Sequence, residues 1–315
     1  MLIKILLLLI GLCMLVYGAD VLVRGATKLA LNLGISVFVV GLTVVAFGTS
    51  APELCVSLAA ALKGSADVAI GNVLGSNLFN VLVVIGLAGF INSFTISEEV
   101  LKREMPIMIS VVGVFWALAA TGSLTRVNGI IMFTMLVAYV LINYKLARSK
   151  VPDIDDDVLD TNNKDTNFKS ILLVILGLVL MVFGSDFVVN SSIFIARKVG
   201  ISELVIGMTL VAVGTSLPEI ATTIVAAKKG EPELVVGNAI GSNIFNVLCV
   251  VGLTSVVKPL KVNPAALAFD FPFTFFACLA VLPLMYFKRS MSKFEGTIML
   301  VAYGAYILLV LQRNS

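Results

Sequence analysis

Two short segments place polar oxygen atoms and a carboxylate inside apolar sequence. Residues 48–53 read GTSAPE and residues 214–219 read GTSLPE. The first segment ends a run of twenty-four uncharged residues between Lys28 and Glu53. An acid at the centre of an inserted helix costs about 2.5–3.5 kcal/mol, and a proline inside a helix costs about 3 kcal/mol. Since the chain accepts both costs twice, the pattern indicates a functional site rather than a structural acid.

Each segment offers several oxygen ligands within six residues. Pro52 cannot donate a backbone hydrogen bond to the carbonyl of Gly48, and Pro218 cannot donate one to Gly214. Such a break in a membrane helix is tolerated only where the backbone lines a cavity or is buried in protein. The side-chain oxygens are those of Thr49, Ser50 and Glu53 in the first segment and Thr215, Ser216 and Glu219 in the second.

More oxygen ligands follow each segment at helical spacing. They lie at i, i+4 and i+8, on one helical face: Asn72, Ser76 and Asn80, and then Asn238, Ser242 and Asn246. For Asn80 and Asn246, the alternative is an interhelical hydrogen bond without ion contact. We interpret the other asparagines of these segments, Asn72, Asn77, Asn238 and Asn243, as structural.

Oxygen ligands with two carboxylates suit a hard cation. Calcium takes about 6–8 oxygens in a flexible shell, whereas magnesium requires a rigid octahedron. Two glutamates neutralise one Ca²⁺, and once emptied they would repel each other in a poorly solvated place. Another cation must therefore replace the ion, which favours exchange over a leak. Sodium fits the same oxygens, and protonation of the buried carboxylates is the alternative.

The elements that carry these residues occur twice. A shift of 166 residues overlays the two halves, and 29 of 54 positions between residues 34 and 87 are identical. Each half contains five apolar segments, and a membrane span needs about 20 residues. We predict spans at 2–23, 36–62, 67–91, 104–122, 127–147, 168–189, 202–227, 233–257, 264–287 and 294–312.

These segments predict an all-α integral membrane protein with ten transmembrane helices. Its parts are a first repeat over 1–147, a polar linker over 148–167 and a second repeat over 168–315. Because five crossings are an odd number, the second repeat is inverted relative to the first, as in many secondary transporters. Two inverted copies would bring Glu53 and Glu219 together near the midplane, at the helix breaks.

The distribution of basic residues predicts the orientation. With these spans, 14 Lys and Arg residues fall on the side of the linker and 8 on the other side. The positive-inside rule then places the linker in the cytoplasm and both termini outside. We interpret the N-terminal apolar run as a retained first span rather than a signal peptide, because residues 176–186 repeat its pattern within the chain.

Composition excludes several function classes. The chain is 59% hydrophobic and 13% charged, and it has no histidine. The usual zinc ligand and the Ser-His and Cys-His nucleophile arrangements are therefore absent, which argues against an enzyme. A cation channel is a less favoured alternative. We expect Ca²⁺ and Na⁺ as substrates and a lipid bilayer around the protein, with no cofactor, nucleic acid or obligate protein partner.

The doubled motifs GTS(A/L)PE and GN(V/A)(L/I)GSN(L/I)FN resemble the α-repeats of the calcium/cation antiporter superfamily. The chain is most similar to the prokaryotic sodium/calcium exchangers, including the bacterial inner-membrane calcium/sodium antiporter. The resemblance implies ten helices, alternating access, sliding of the first and sixth helices across a static core, and a location in the inner membrane. It also implies twelve ion ligands: Ala46 (carbonyl), Thr49, Ser50, Glu53, Ser76, Asn80, Ala212 (carbonyl), Thr215, Ser216, Glu219, Ser242 and Asn246.

One difference from the family leaves the counter-ion open. Potassium-dependent relatives carry aspartate in one repeat where this chain has Asn80 or Asn246, which argues against potassium cotransport. Both Na⁺ and H⁺ remain alternatives as counter-ion. For Asp20 and Asp186, the alternatives are a gating role and a solvated helix end. The acidic run at 153–157 lacks the EF-hand spacing, so we interpret it as part of a solvated linker.

Overall fold

The structure, a computed structural model, describes residues 2–149, 163–198 and 212–314, and most of these are helical. The long helices are α1 (Leu2–Leu33), α2 (Val37–Leu62), α3 (Ala66–Ile91), α4 (Met105–Ala119), α5 (Arg126–Ser149), α6 (Asn163–Lys198), α7 (Leu217–Lys229), α8 (Pro232–Val257), α9 (Asp270–Lys288) and α10 (Lys293–Asn314). Short helices at Ala212–Thr215 and Pro264–Ala268 precede α7 and α9. A π-helical turn at Val100–Glu104 leads into α4.

The helices have the length and composition of membrane spans. Among the described residues, eight helices are long and apolar enough to cross a membrane. They match eight of the predicted spans. The predicted span at 104–122 folds as the helical stretch Val100–Ala119, and the span at 202–227 lies partly outside the described residues. The all-helical fold is thus confirmed, and the count of ten stays a prediction.

Glycines join α1 and α6 as an antiparallel pair. A Cβ atom on Gly11 would lie 2.7 Å from the carbonyl oxygen of Gly184, and one on Gly18 would lie 2.9 Å from that of Gly177. Small residues let membrane helices approach this closely. Gly177 and Gly184 are the repeat equivalents of Gly11 and Gly18, so exchanging the two repeats maps each contact onto the other. Inverted repeats have this symmetry.

Contacts within the chain group into two units, and each unit contains parts of both sequence repeats. The first unit consists of Met1–Pro52 and Tyr139–Asn238. The second unit consists of Glu53–Ala138 and Ala239–Ser315. The first unit therefore contains the α1–α6 pair, and the second contains all of α3, α4, α9 and α10.

The second unit has the same internal symmetry. Strand β1 (Phe94–Thr95) pairs with β4 (Ser290–Met291), and β2 (Ser123–Leu124) pairs with β3 (Leu260–Lys261), both antiparallel. Gly86 packs on Gly296 and Gly129 packs on Gly252, so that α3 contacts α10 and α5 contacts α8. The shift between the repeats is 166 residues for β1 and Gly86 and 167 residues for β2 and Gly129. With these shifts, each pairing is the repeat equivalent of the other.

Helices α1, α5 and α6 are longer than the predicted segments that they contain. Helices α1 and α6 continue past the charged residues that end the predicted spans 2–23 and 168–189. In α1, Arg24 pairs with Asp20 one turn earlier, and the helix ends just before Gly34, whose φ is 65°. Helix α5 extends to Ser149 and α6 begins at Asn163, so both ends of the predicted linker, 148–149 and 163–167, are helical. Charged and polar residues therefore do not mark where these helices end. The acidic run at 153–157 lies outside the described residues.

Candidate ion-binding site

Both acidic motifs lie at a helix break. Ser50 has φ −80° and ψ 0°, and it interrupts α2. Ser216 has φ −93° and ψ 10°, and it separates the short helix Ala212–Thr215 from α7. Each break is followed by a proline in the first turn of the next helix, where its missing N–H is tolerated. The predicted broken helices are confirmed, and the two repeats break at equivalent residues.

The carboxylate of Glu53 is buried against α3. Its side chain is 1% exposed, and Ser76 Oγ donates a 3.2 Å hydrogen bond to Glu53 Oε1. Asn72 Nδ2 donates to the backbone carbonyl of Glu53 at 3.2 Å and to Ser57 Oγ at 3.0 Å. Glu53 also lies in the first turn of the helix that follows the break, where the helix dipole favours a negative charge. The structure thus brings Ser76 and Glu53 of the predicted ligand set together.

The residues before the break form a second group of oxygens, within the first unit. The Ala46 carbonyl accepts a 3.0 Å hydrogen bond from the Ser50 N–H. Thr49 Oγ1 lies 3.4 Å from this carbonyl oxygen and 3.1 Å from Asn238 Oδ1. Ser50 Oγ is buried, and among the described residues it has no hydrogen-bond partner. A buried hydroxyl in this state usually has a water or an ion as its partner.

The second motif is buried to the same degree. Thr215, Ser216 and Glu219 are all buried, with Glu219 1% exposed. Ser185 Oγ of α6 donates a 2.7 Å hydrogen bond to the Gly214 carbonyl oxygen. Of this half of the predicted ligand set, Ala212 lies in the backbone of the short helix before the break, and Ser242 is fully buried in α8.

Asn80 and Asn246 differ although they are repeat equivalents. Both are 1% exposed, and each begins a π-helical turn, Asn80–Val84 and Asn246–Val251. Asn246 Nδ2 donates to Asn77 Oδ1 at 3.1 Å, whereas neither amide atom of Asn80 has a hydrogen-bond partner among the described residues. π-Helical turns inside α-helices are frequent at functional sites. For Asn80, these observations favour ion contact over the predicted alternative of an interhelical hydrogen bond.

Asn77 and Asn243 connect α3 and α8 in the second unit. Asn243 Nδ2 donates to the Asn77 carbonyl at 3.2 Å, and Asn77 Nδ2 donates to the Asn243 carbonyl at 3.4 Å. The two residues are repeat equivalents, so exchanging the two repeats maps each of these hydrogen bonds onto the other. The contacts agree with the structural interpretation of Asn77 and Asn243.

The chemistry of these groups is mainly that of neutral oxygen. Across the described ranges, no group of three or more His, Cys, Asp or Glu residues is arranged to hold a metal ion. Buried carboxylates surrounded by hydroxyl, amide and carbonyl oxygens match the ligand preference of calcium and sodium rather than that of zinc or copper.

Comparisons with known proteins agree with this chemistry. The family model described as sodium/calcium exchanger protein matches residues 3–145 and 169–312, once in each repeat. The chain belongs to this family. It is 36% identical to inner membrane protein YrbG of Escherichia coli K12, with 99% of this chain and 97% of YrbG aligned. It is 32% identical to sodium/calcium exchanger MaX1 of Methanosarcina acetivorans, with 98% of each chain aligned.

A solved structure of a family member has the same fold. The sodium-calcium exchanger NCX_Mj, soaked with Na⁺ and Sr²⁺, matches with a TM-score of 0.86 and 28% identity over 97% of each chain. Membership of the sodium/calcium exchanger family makes the chain a multi-pass membrane antiporter that transports calcium, not an enzyme.

The equivalent aspartates of α1 and α6 have different partners. Asp20 Oδ1 lies 2.6 Å from Lys229 Nζ, and Arg24 also pairs with this carboxylate. These contacts connect α1 with the end of α7, so Asp20 is more than a solvated helix end. Its repeat equivalent Asp186 accepts a 2.7 Å hydrogen bond from Asn190 Nδ2 on its own helix.

Proposed function

We propose that this exchanger moves Ca²⁺ in one direction and Na⁺ in the other by alternating access. The observation that carries the proposal is that Glu53 and Glu219, both 1% exposed, each follow a proline-associated helix break with two hydroxyl residues at equivalent positions. A carboxylate buried in this way needs a compensating cation or proton. The family match, and the names of MaX1 and NCX_Mj, support calcium and sodium as the ions.

The proposed ligands come from both repeats. The proposal that they serve one ion rests on the symmetry of the sequence. The buried oxygens of Ser50 and Asn80, which have no hydrogen-bond partner among the described residues, support it. The ligands are the carbonyls of Ala46 and Ala212, the hydroxyls of Thr49, Ser50, Ser76, Thr215, Ser216 and Ser242, the amides of Asn80 and Asn246, and the carboxylates of Glu53 and Glu219.

The charge of the proposed site requires that the departing Ca²⁺ be exchanged for another cation. Two carboxylates neutralise one Ca²⁺, and the loss of that ion leaves two negative charges in a medium that solvates them poorly. Unless a cation takes its place, the empty site carries two negative charges that cannot be enclosed in an apolar environment. The protein then cannot switch the site from one side of the membrane to the other. Neutral oxygens in a flexible shell suit calcium and sodium better than magnesium, which retains its waters.

The experiment that tests the proposal is ion-gradient flux in vesicles. With the purified chain reconstituted at equal pH on both sides, an outward Na⁺ gradient should drive uptake of radiolabelled calcium. A matched vesicle with K⁺ in place of Na⁺ should show no uptake. If calcium follows a pH gradient and ignores Na⁺, the protein exchanges calcium for protons. Calcium flux without any counter-ion gradient would indicate a channel.

We also propose a plasma-membrane location, the inner membrane in a bacterium, with both termini outside and the central linker cytoplasmic. The excess of Lys and Arg on the linker side supports this orientation, and the name of the relative YrbG supports the membrane. Protease added to sealed spheroplasts should remove a C-terminal tag and leave a tag in the linker intact. The opposite pattern would reverse the orientation.

A further inference from the structure

The second acidic motif has a support that comes from α6. Ser185 Oγ donates a 2.7 Å hydrogen bond to the Gly214 carbonyl. This is the carbonyl that Pro218 leaves without its usual backbone N–H partner. Ser185 is 5% exposed, so water competes little for this bond. The hydroxyl therefore replaces the backbone donor that the helix break removes.

One face of α6 packs against both motifs within the first unit. Leu178, Ser185 and Val189 lie at i, i+7 and i+11, which places them on the same side of the helix. Leu178 leaves no space for a Cβ atom on Gly48, and Val189 leaves none on Gly214. Ser185 is the polar member of this face, and it lies one helical turn from Val189.

The equivalent residues of α1 show what is special about Ser185. Its equivalent is Ala19, while Leu178 and Val189 correspond to Leu12 and Val23. The apolar residue types are thus the same in the two repeats, and the hydroxyl is present in only one of them. The Gly48 carbonyl cannot receive the equivalent bond, because Ala19 has no donor.

We infer that Ser185 is a positioning residue for ion binding. By holding the Gly214 carbonyl, it fixes the peptide that precedes Thr215 and Ser216, so that their oxygens keep a constant direction. This inference rests on the proposed function, because it assigns a role within the same site. Without the hydroxyl, a buried acceptor loses its partner, and the peptide can turn to find another.

The test compares Ser185→Ala with Ser185→Thr and with Ser191→Ala. Ser191 provides a matched control, since it is a buried hydroxyl of the same helix that makes no hydrogen bond to either acidic motif among the described residues. In vesicle flux, Ser185→Ala should raise the half-saturating Ca²⁺ concentration about five- to tenfold, the loss expected for one hydrogen bond. The maximal rate per folded protein should change less than twofold. Ser185→Thr should restore the wild-type half-saturation, and Ser191→Ala should not alter it.

Calcium binding to the detergent-solubilised protein, measured by titration calorimetry, provides a second readout that does not need transport. The dissociation constant should rise by the same factor for Ser185→Ala. A wild-type value for Ser185→Ala, an equal loss for Ser191→Ala, or no rescue by Ser185→Thr would overturn the inference. If the wild-type protein itself neither binds nor moves calcium, the proposed function is wrong, which is a distinguishable result.

Discussion

In the first acidic motif, Asn72 and Ser76 of α3 hold Glu53 through its backbone carbonyl and its carboxylate. In the second motif, Ser185 of α6 holds the carbonyl of Gly214. Asn238, the equivalent of Asn72, lies instead 3.1 Å from the hydroxyl of Thr49. The two segments have nearly the same sequence and the same backbone break. They differ in the hydrogen bonds of Asn72 and Asn238, and in the Ser185 bond, which Ala19 cannot make.

This difference is what alternating access requires of an inverted repeat. If both repeats had the same conformation, the pseudo-two-fold relation would make the two sides of the membrane equivalent, and the site would open equally to both. A state that favours one side must therefore hold the repeats differently. The two sets of hydrogen bonds show where the repeats differ. Substitutions at equivalent positions can therefore distinguish what both motifs do in ion binding from the hydrogen bonds that hold only one of them.

The largest expected effect is shared by both motifs. Glu53→Gln and Glu219→Gln should each reduce sodium-driven calcium uptake by more than about a hundredfold. Either change removes one of the two buried negative charges that balance the charge of the bound cation. Both variants should elute from gel filtration as folded protein. Glu104→Gln provides the control, since Glu104 is fully buried but pairs with Arg103 outside the motifs. Calcium uptake retained in either motif variant would remove the role assigned to that carboxylate.

An intermediate effect should separate Asn80 from Asn246. Either alanine variant should weaken calcium transport, since each amide is a proposed ligand. Asn246→Ala should also lower the free energy of unfolding by about 1 kcal/mol, because the bond to Asn77 is lost. For Asn80→Ala, which breaks no hydrogen bond among the described residues, the loss should be smaller than for Asn246→Ala. Denaturation in detergent measures this difference, and equal stability losses would contradict the distinction.

The smallest effect should come from the two aspartates of α1 and α6, Asp20 and Asp186. Asp20→Asn breaks the contacts with Lys229 and Arg24, and a partly exposed ion pair contributes about 0–1 kcal/mol. Among the described residues, Asp186 accepts a hydrogen bond from Asn190 on the same helix and forms no ion pair, so Asp186→Asn should change stability less. The same denaturation assay measures both variants. A larger loss in the free energy of unfolding for Asp186→Asn than for Asp20→Asn would contradict this order.

Much of this arrangement could be predicted from sequence, for physical reasons. Duplication is visible in any chain with 29 of 54 identical positions, and the apolar segments 67–91 and 233–257 match α3 and α8 within one residue at each end. Proline beside paired hydroxyls predicts a break, because proline cannot continue the hydrogen-bond pattern of the helix. These features depend on local sequence.

The hydrogen bonds that distinguish the two motifs could not be predicted. Ser185–Gly214 and Thr49–Asn238 join residues far apart in the chain, so they depend on which helices pack together. The π-helical turns at Asn80 and Asn246 have no sequence signal in a pattern of i, i+4 and i+8 positions. The sequence did contain one signal for the Gly214 contact. The second repeat has Ser185 where the first has Ala19, so a hydroxyl is present on this helix face in only one repeat.

In the proposed mechanism, Glu53 and Glu219 act together on one calcium ion, and the number of calcium ions bound tests this most directly. Equilibrium dialysis of the purified protein with radiolabelled calcium, in sodium-free buffer, should give one ion per wild-type chain. Glu53→Gln and Glu219→Gln should each bind none at the concentration that saturates the wild type. Two ions per wild-type chain, with one retained in each variant, would show two independent sites and contradict the account.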